Sequence, residues 1–244
     1  MSRWTQAAES LVTGDAAMAA LAALAETTDT KGFLAAVLAG RHYAGRTAVV
    51  TSFGAESAAL LHLVAGIDRR APVIFLETGK LFAETLAYRD LLIERLGLED
   101  VRSIRPDPAA LLAADPTGDL WRRDPDRCCH LRKVEPLERA LKGFAAWING
   151  RKRYQTDGRS LLPLAERVDG RIKVNPLANW TRQEIDRYFA RHRLPRHPLE
   201  AKGYRSVGCE PCTSPTSPDE DARAGRWRGL EKTECGIHFP ATRT

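Results

Sequence analysis

"RTAVVTSFGAES" (46–57) and "PVIFLETG" (72–79) are the stretches on which the fold turns. Each is a short apolar, β-branched run that ends in small turn-forming residues. A helical pattern follows each one, "SAALLHLVAG" (57–66) after the first and "LFAETLAYRDLLIERLG" (81–97) after the second. "VRSI" (101–104) and "AAWING" (145–150) read as further strands. Strands alternating with helices imply crossover connections, hence an α/β fold with a parallel sheet. Ligands of such sheets lie outside the carboxyl ends of the strands. The loops "SFGAES", "ETGK" and "NGRKRYQTDGR" are therefore predicted to share one edge.

Outward from this centre the pattern weakens. Residues 7 to about 40 are Ala/Leu-rich and suit helices. "TRQEIDRYFARH" (181–192) reads as a helix capped by Thr181 or Asn179. Beyond Leu194 Pro, Gly and charge dominate, and "TSPTSPDEDARAGR" (213–226) reads as exposed and mobile. The division is a helical segment (1–45), an α/β domain (46–205) and a flexible C-terminal tail (206–244).

The chain has 244 residues, 43% apolar and 28% charged, with net charge +6. That describes a soluble, mildly basic protein suited to nucleic acid or to a small anionic substrate. No basic segment and hydrophobic stretch open it, and no run of about 18 apolar residues suggests a membrane span. Cysteines without a signal peptide point to a reducing, cytoplasmic compartment, where they bind metal or react.

In "SFGAES" small residues let backbone N–H groups approach an anion at a helix start. An ordinary βα turn reads equally well, and the string is neither Walker A nor G-x-G-x-x-G. The basic run Arg151, Lys152, Arg153 and Arg159 is usually a solvated face; at the carboxyl edge it becomes a candidate anion site. The pairs Cys128/Cys129 in "CCHLRK" and Cys209/Cys212 in "GCEPC" are the strongest local signals. Zinc, an iron–sulfur cluster and unmetallated thiols all remain open. Adjacent cysteines strain to share one small ion, whereas a cube offers each thiolate its own iron, which favours the cluster. Cys235, alone in the polar stretch "EKTECGIHF" (231–239), reads as a thiolate stabilised by Arg223, Arg226 and Lys232 rather than as a buried thiol.

Together, "SFGAES", "LETGKLFAET", "CCHLRKVEPL", "GRKRYQTDGRS", "VNPLANWTRQEI", "LPRHPLEAKGYRSVGCEPCT", "RAGRW" and "KTECGIHF" resemble the assimilatory adenylyl-sulfate reductases, within the phosphoadenylyl-sulfate reductase family, over residues 45–239. The resemblance implies an adenine-nucleotide α-hydrolase-like (PP-loop type) sheet. It implies that Cys128, Cys129, Cys209 and Cys212 hold a [4Fe–4S] cluster, and it favours adenosine 5′-phosphosulfate (APS) over its 3′-phosphorylated form. It makes Cys235 the nucleophile that carries an S-sulfo intermediate, released by thioredoxin or glutaredoxin. Lys133, Arg223, Arg226 and His238 join Cys235 as catalytic residues. Ser52, Gly54, Ser57, Leu76, Thr78, Gly79, Gly150 and Arg159 are implied to bind substrate, and a homo-oligomer is the implied assembly. Glu77, Lys80 and Ser57 depart mildly from the common pattern. Rival readings are the 3′-phosphorylated substrate, a PP-loop ATP pyrophosphatase that thiolates tRNA, and a zinc-stabilised nucleic-acid module.

Overall fold

The computed structural model describes residues 14–40 and 43–238. The helical reading of residues 7–13, and Phe239 of the terminal motif, lie outside them. Two helices, α1 (Asp15–Thr27) and α2 (Thr30–Ala39), precede the sheet. Its strands are β1 (Thr47–Thr51), β2 (Val73–Leu76), β3 (Val101–Ile104), β4 (Ala146–Ile148), β5 (Ala165–Val168) and β6 (Arg171–Val174). Helices α3 (Ser57–Ala65) and α4 (Ala83–Leu96) carry the chain back between β1, β2 and β3, so those neighbours run parallel. The six strands lie in the order β3-β2-β1-β4-β6-β5, with only β5 antiparallel to its neighbour.

β1, β2 and β4 are buried throughout, which explains their near-continuous apolar character. Successive side chains point to opposite faces. Val49, Val73, Phe75 and Ile148 meet the core of α2, α3 and α4. Ala48, Val50, Ile74, Leu76 and Trp147 meet Leu137, Leu141 and Ile237 on the other face.

The β5–β6 hairpin differs from the sequence reading, which placed no strands there. Asp169 (φ 48°) and Gly170 (φ 75°) turn it, the two positive φ values that a tight two-residue hairpin requires. The cysteine-bearing segment runs through short helices α5 (Pro108–Ala114), α6 (Leu120–Arg123) and α7 (Pro125–Cys129), a π-helical turn (His130–Val134) and α8 (Glu135–Ala140). Pro136 has no N–H for the Arg132 carbonyl, which accounts for the wider turn. Helix α9 (Arg182–His192) is capped by Thr181, whose hydroxyl accepts from Glu184 N while the Glu184 carboxylate accepts from Thr181 N.

Residues 206–238 fold against the domain instead of hanging loose. Thr213 bridges Arg226, Ser214 N donates to Gly225 O (2.8 Å), and Arg228 pairs with Glu220 (2.7 Å). The tip at 217–219 is exposed, but Trp227 is buried at 2% exposure. Among the described residues no helix is long and apolar enough to cross a membrane.

Candidate active site

The strand order reverses between β1 and β4, the switch point at which α/β sheets open a crevice. A cavity of about 190 Å³ lies there. Of the predicted residues, Ser52, Gly54, Ser57, Leu76, Gly150, Arg159, Lys133, Arg223, Arg226, Cys235 and His238 all line it. The turn after β1 is built by Phe53, which takes a left-handed φ of 47° and pays for it by burying its ring edge-on against Phe75, 5.3 Å between centroids. A Cβ on Gly54 would lie 3.1 Å from the Val207 carbonyl oxygen, so glycine lets the 205–208 segment close over the turn.

Thr78 and Gly79 do not line this cavity. Thr78 is fully buried with its hydroxyl 3.3 Å from Cys209 Sγ, and Gly79 (φ 70°) turns the chain beside Arg132. β2 ends one strand away from the switch point, so its loop serves the cysteines.

Of the basic run, Arg151, Lys152 and Arg159 are buried and Arg153 is exposed. Lys152 is 2% exposed and donates to Glu56 (2.8 Å). Glu56 also accepts from Gln155 (2.9 Å), Tyr154 and, at 3.4 Å, Arg182. Burial works to raise the Glu56 carboxyl, but Lys152, Tyr154 and Arg182 outweigh it and hold the group below the usual carboxylate range. Arg151 is tied to Glu166, Asn149 and Asn175. These cations are spent within the protein. Arg159 and Arg223 are both paired with Glu234, next to Cys235. Burial and the neighbouring Arg159 push Arg223 down to about 9, still charged at neutral pH. Arg226 stacks on Trp227, 4.5 Å from the ring centroid, and lies where a Gly208 Cβ would be.

Cys235 is buried, contrary to the sequence reading, and packs with Cys129 and Trp227. A hydrogen bond from Cys129, then Lys133 and Arg226, hold its thiol well below the ordinary range against the effect of burial. Burial and the cations Lys173, Arg151, Arg159 and Arg223 keep His238 neutral, and its Nδ1 has no partner among the described residues. Burial, then Arg151, bring Lys173 down to about 7.

A second void is lined by Cys128, Cys129, Cys209 and Cys212, with Lys80, Arg132, Lys133 and Arg226 around it. None of the four is joined in a disulfide. Burial pushes Cys128 up to about 11 and raises Cys212 as well. Arg132 donates to Thr78 O (2.8 Å) and Asp115 (2.6 Å), while its buried Nε has no partner among the described residues. Among those residues no three His, Cys, Asp or Glu side chains are arranged to hold one metal ion. A four-thiol donor set ringed by cations fits a group with several metal centres and net negative charge. Trp227 and Lys133 line both cavities.

Glu56, Trp227 and Lys173 were not singled out from sequence. Lys173, a lone lysine between Ile172 and Val174, carried a readable signal: a charge inside an apolar run. The partners of Glu56 lie 96 and more residues away and carried none.

Comparison with known proteins agrees with this geometry. The model for the phosphoadenosine phosphosulfate reductase domain matches residues 46–215. The adenosine 5′-phosphosulfate reductase of Mesorhizobium japonicum is 55% identical over 192 residues, 79% of this chain and 76% of that protein. Adenosine 5′-phosphosulfate reductase 1 of Bacillus subtilis is 41% identical over 201 residues, 81% and 86% of the two chains. The phosphate complex of phosphoadenylyl-sulfate reductase from Candida auris shares the fold, with TM-score 0.67 and 24% identity over 80% of this chain and 96% of that one. On these grounds, and with the sheet of an adenine-nucleotide α-hydrolase-like fold, the chain belongs to the phosphoadenosine phosphosulfate reductase domain family.

Proposed function

We propose that this chain is an APS reductase of sulfate assimilation, which forms sulfite and AMP by way of a sulfo group carried on Cys235. Relatives at 55% and 41% identity bear that name. The observation that carries the reading is the placement of a buried cysteine thiol in the same cavity as Lys133, Arg159, Arg223 and Arg226, beside the turn after β1.

The Cys235 thiolate attacks the sulfur of the terminal sulfo group. The S–O bond to the phosphate breaks, AMP leaves with the electron pair, and Cys235 becomes S-sulfocysteine. Arg159, Arg223 and Arg226 offset the charge that gathers on the departing phosphate. Neutral His238, whose Nδ1 has no partner among the described residues, offers that nitrogen to the bound anion. A thiol of thioredoxin or glutaredoxin then attacks Cys235 Sγ, and sulfite departs with the S–S electron pair. The partner's second thiol resolves the mixed disulfide, so its dithiol supplies both electrons. Cys128, Cys129, Cys209 and Cys212 would hold a [4Fe–4S] group, which when bound supplies fixed charge rather than electrons. With Cys129 so committed, its hydrogen bond to Cys235 is lost, and Lys133 and Arg226 are the cations that favour the Cys235 thiolate.

Mixing the purified protein with APS and no reductant is expected to add one sulfo group to the intact chain, on the Cys235 peptide. Cys235→Ser should bind AMP and stay unmodified. Wild-type protein that saturates with APS yet never gains the adduct sinks the reading. Turnover on APS against its 3′-phosphorylated form reports the substrate, and iron with acid-labile sulfide in the isolated protein reports the cluster.

A further inference from the structure

Lys173 is fully buried in the middle of β6, yet it belongs to neither cavity. The sheet register sets it in a row between Trp147 of β4 and Glu166 of β5. Its ammonium lies 5.0 Å from the Trp147 ring centroid and 3.6 Å from Glu166. Its remaining contact is the one that matters: Nζ donates to the backbone carbonyl of His238, 3.3 Å away. Ile237 packs into the apolar cluster of Trp147, Val50 and Leu76 on the same face. The 235–238 segment is thus seated by one apolar plug and one charged donor from the sheet. A lysine is rarely tolerated at a fully buried strand position, and desolvating it is costly. One carboxylate and one aromatic face leave it a free donor direction, and that direction meets the tail.

We propose that Lys173 is a positioning residue, which holds the His238 carbonyl and thereby sets how much of the time Cys235 sits in the cavity. The proposal rests on Cys235 as nucleophile, but its primary test does not use turnover. The bond is to a carbonyl, so it acts whatever residue occupies position 238. It also leaves Lys173 out of contact with the nucleotide turn, so it should govern docking and not nucleotide affinity.

The test is the rate of iodoacetamide labelling of Cys235 in the intact protein as isolated, read on the Cys235 peptide so that the other thiols do not interfere. Lys173→Met should label about tenfold faster than wild type, the loss of one hydrogen bond to the His238 carbonyl. Affinity for AMP should be unchanged. With APS at saturation, the adduct should form more slowly only as far as the docked fraction falls, by less than about tenfold, with little change in the APS concentration for half-saturation. Lys173→Gln, whose amide falls one bond short of the carbonyl, should behave the same way and decides the matter if the Met variant does not fold. Labelling at the wild-type rate in a folded variant overturns the proposal. So does a parallel loss of AMP binding, which would make Lys173 a general packing residue. Fast labelling in the variant, with no sulfo adduct even in wild type, would keep the seat and discard Cys235 as nucleophile.

Discussion

His197 shows how a single buried side chain sets a pH limit. Its Nδ1 accepts from Leu199 N (3.2 Å), so the other ring nitrogen donates to Thr85 Oγ1 (3.1 Å), and the ring is 1% exposed. Burial holds its pKa down to about 4 from the ordinary 6.5. Above pH 6.5 both states are neutral and nothing is lost. Between 6.5 and 4 the unfolded chain binds a proton that the folded chain refuses, so stability falls by up to about 3 kcal/mol. Thermal unfolding from pH 7 to 4.5 should show that slope, and His197→Gln should flatten it. Glu56 poses a different problem. Glu56→Ala would strand Lys152 as an unpaired buried cation, a loss of about 3–5 kcal/mol measurable by urea unfolding. Neither role was legible in the sequence, because both depend on partners distant along the chain. The turn that carries Ser52, Gly54 and Ser57 was legible, because strand, turn and helix start are local.

At the scale of elements, two glycines flank the chemistry where a side chain would meet a neighbour. A Cβ on Gly236 would lie 3.0 Å from Val134 Cγ2, on the π-helical turn. Gly236→Ala should lift the segment and slow adduct formation by about tenfold or more, as misplaced reacting groups do, with little change in melting temperature. A Cβ on Gly208 would lie 2.3 Å from the Arg226 guanidinium, the movable end of a side chain. Gly208→Ala should leave the fold intact and weaken APS binding about tenfold by displacing one charged donor, read by calorimetry. The β1–α3–β2–α4 succession was plain from its alternation of apolar runs and helical patterns. The β5–β6 edge was not, since only Ile172, Lys173 and Val174 of its residues are fully buried and the rest read as polar loop. The Asp169–Gly170 pair was its one available sign.

For the whole molecule, order in residues 206–238 comes from contacts made at a distance. Trp227, Cys235 and Ile237 find their apolar neighbours on the cysteine-bearing segment and the sheet, and Arg205 and Arg228 tie the loop tip. Composition alone made this stretch look loose, because its few apolar residues pack only against elements far earlier in the chain. That the loops after the parallel strands share one edge was readable from the alternation of strands and helices; how the charges there are divided between structure and substrate was not.

Trp227 stands as a partition common to two chambers. Its amide donates to the Cys212 carbonyl at 3.0 Å, and Arg226, one residue earlier, reaches the same oxygen at 3.4 Å. Any disturbance that shifts the 209–212 loop must therefore drag the indole and the guanidinium with it. Oxidative loss of the proposed cluster should accordingly take the grip on the nucleotide with it along one shared time course, leaving no long-lived species that has surrendered the first and kept the second.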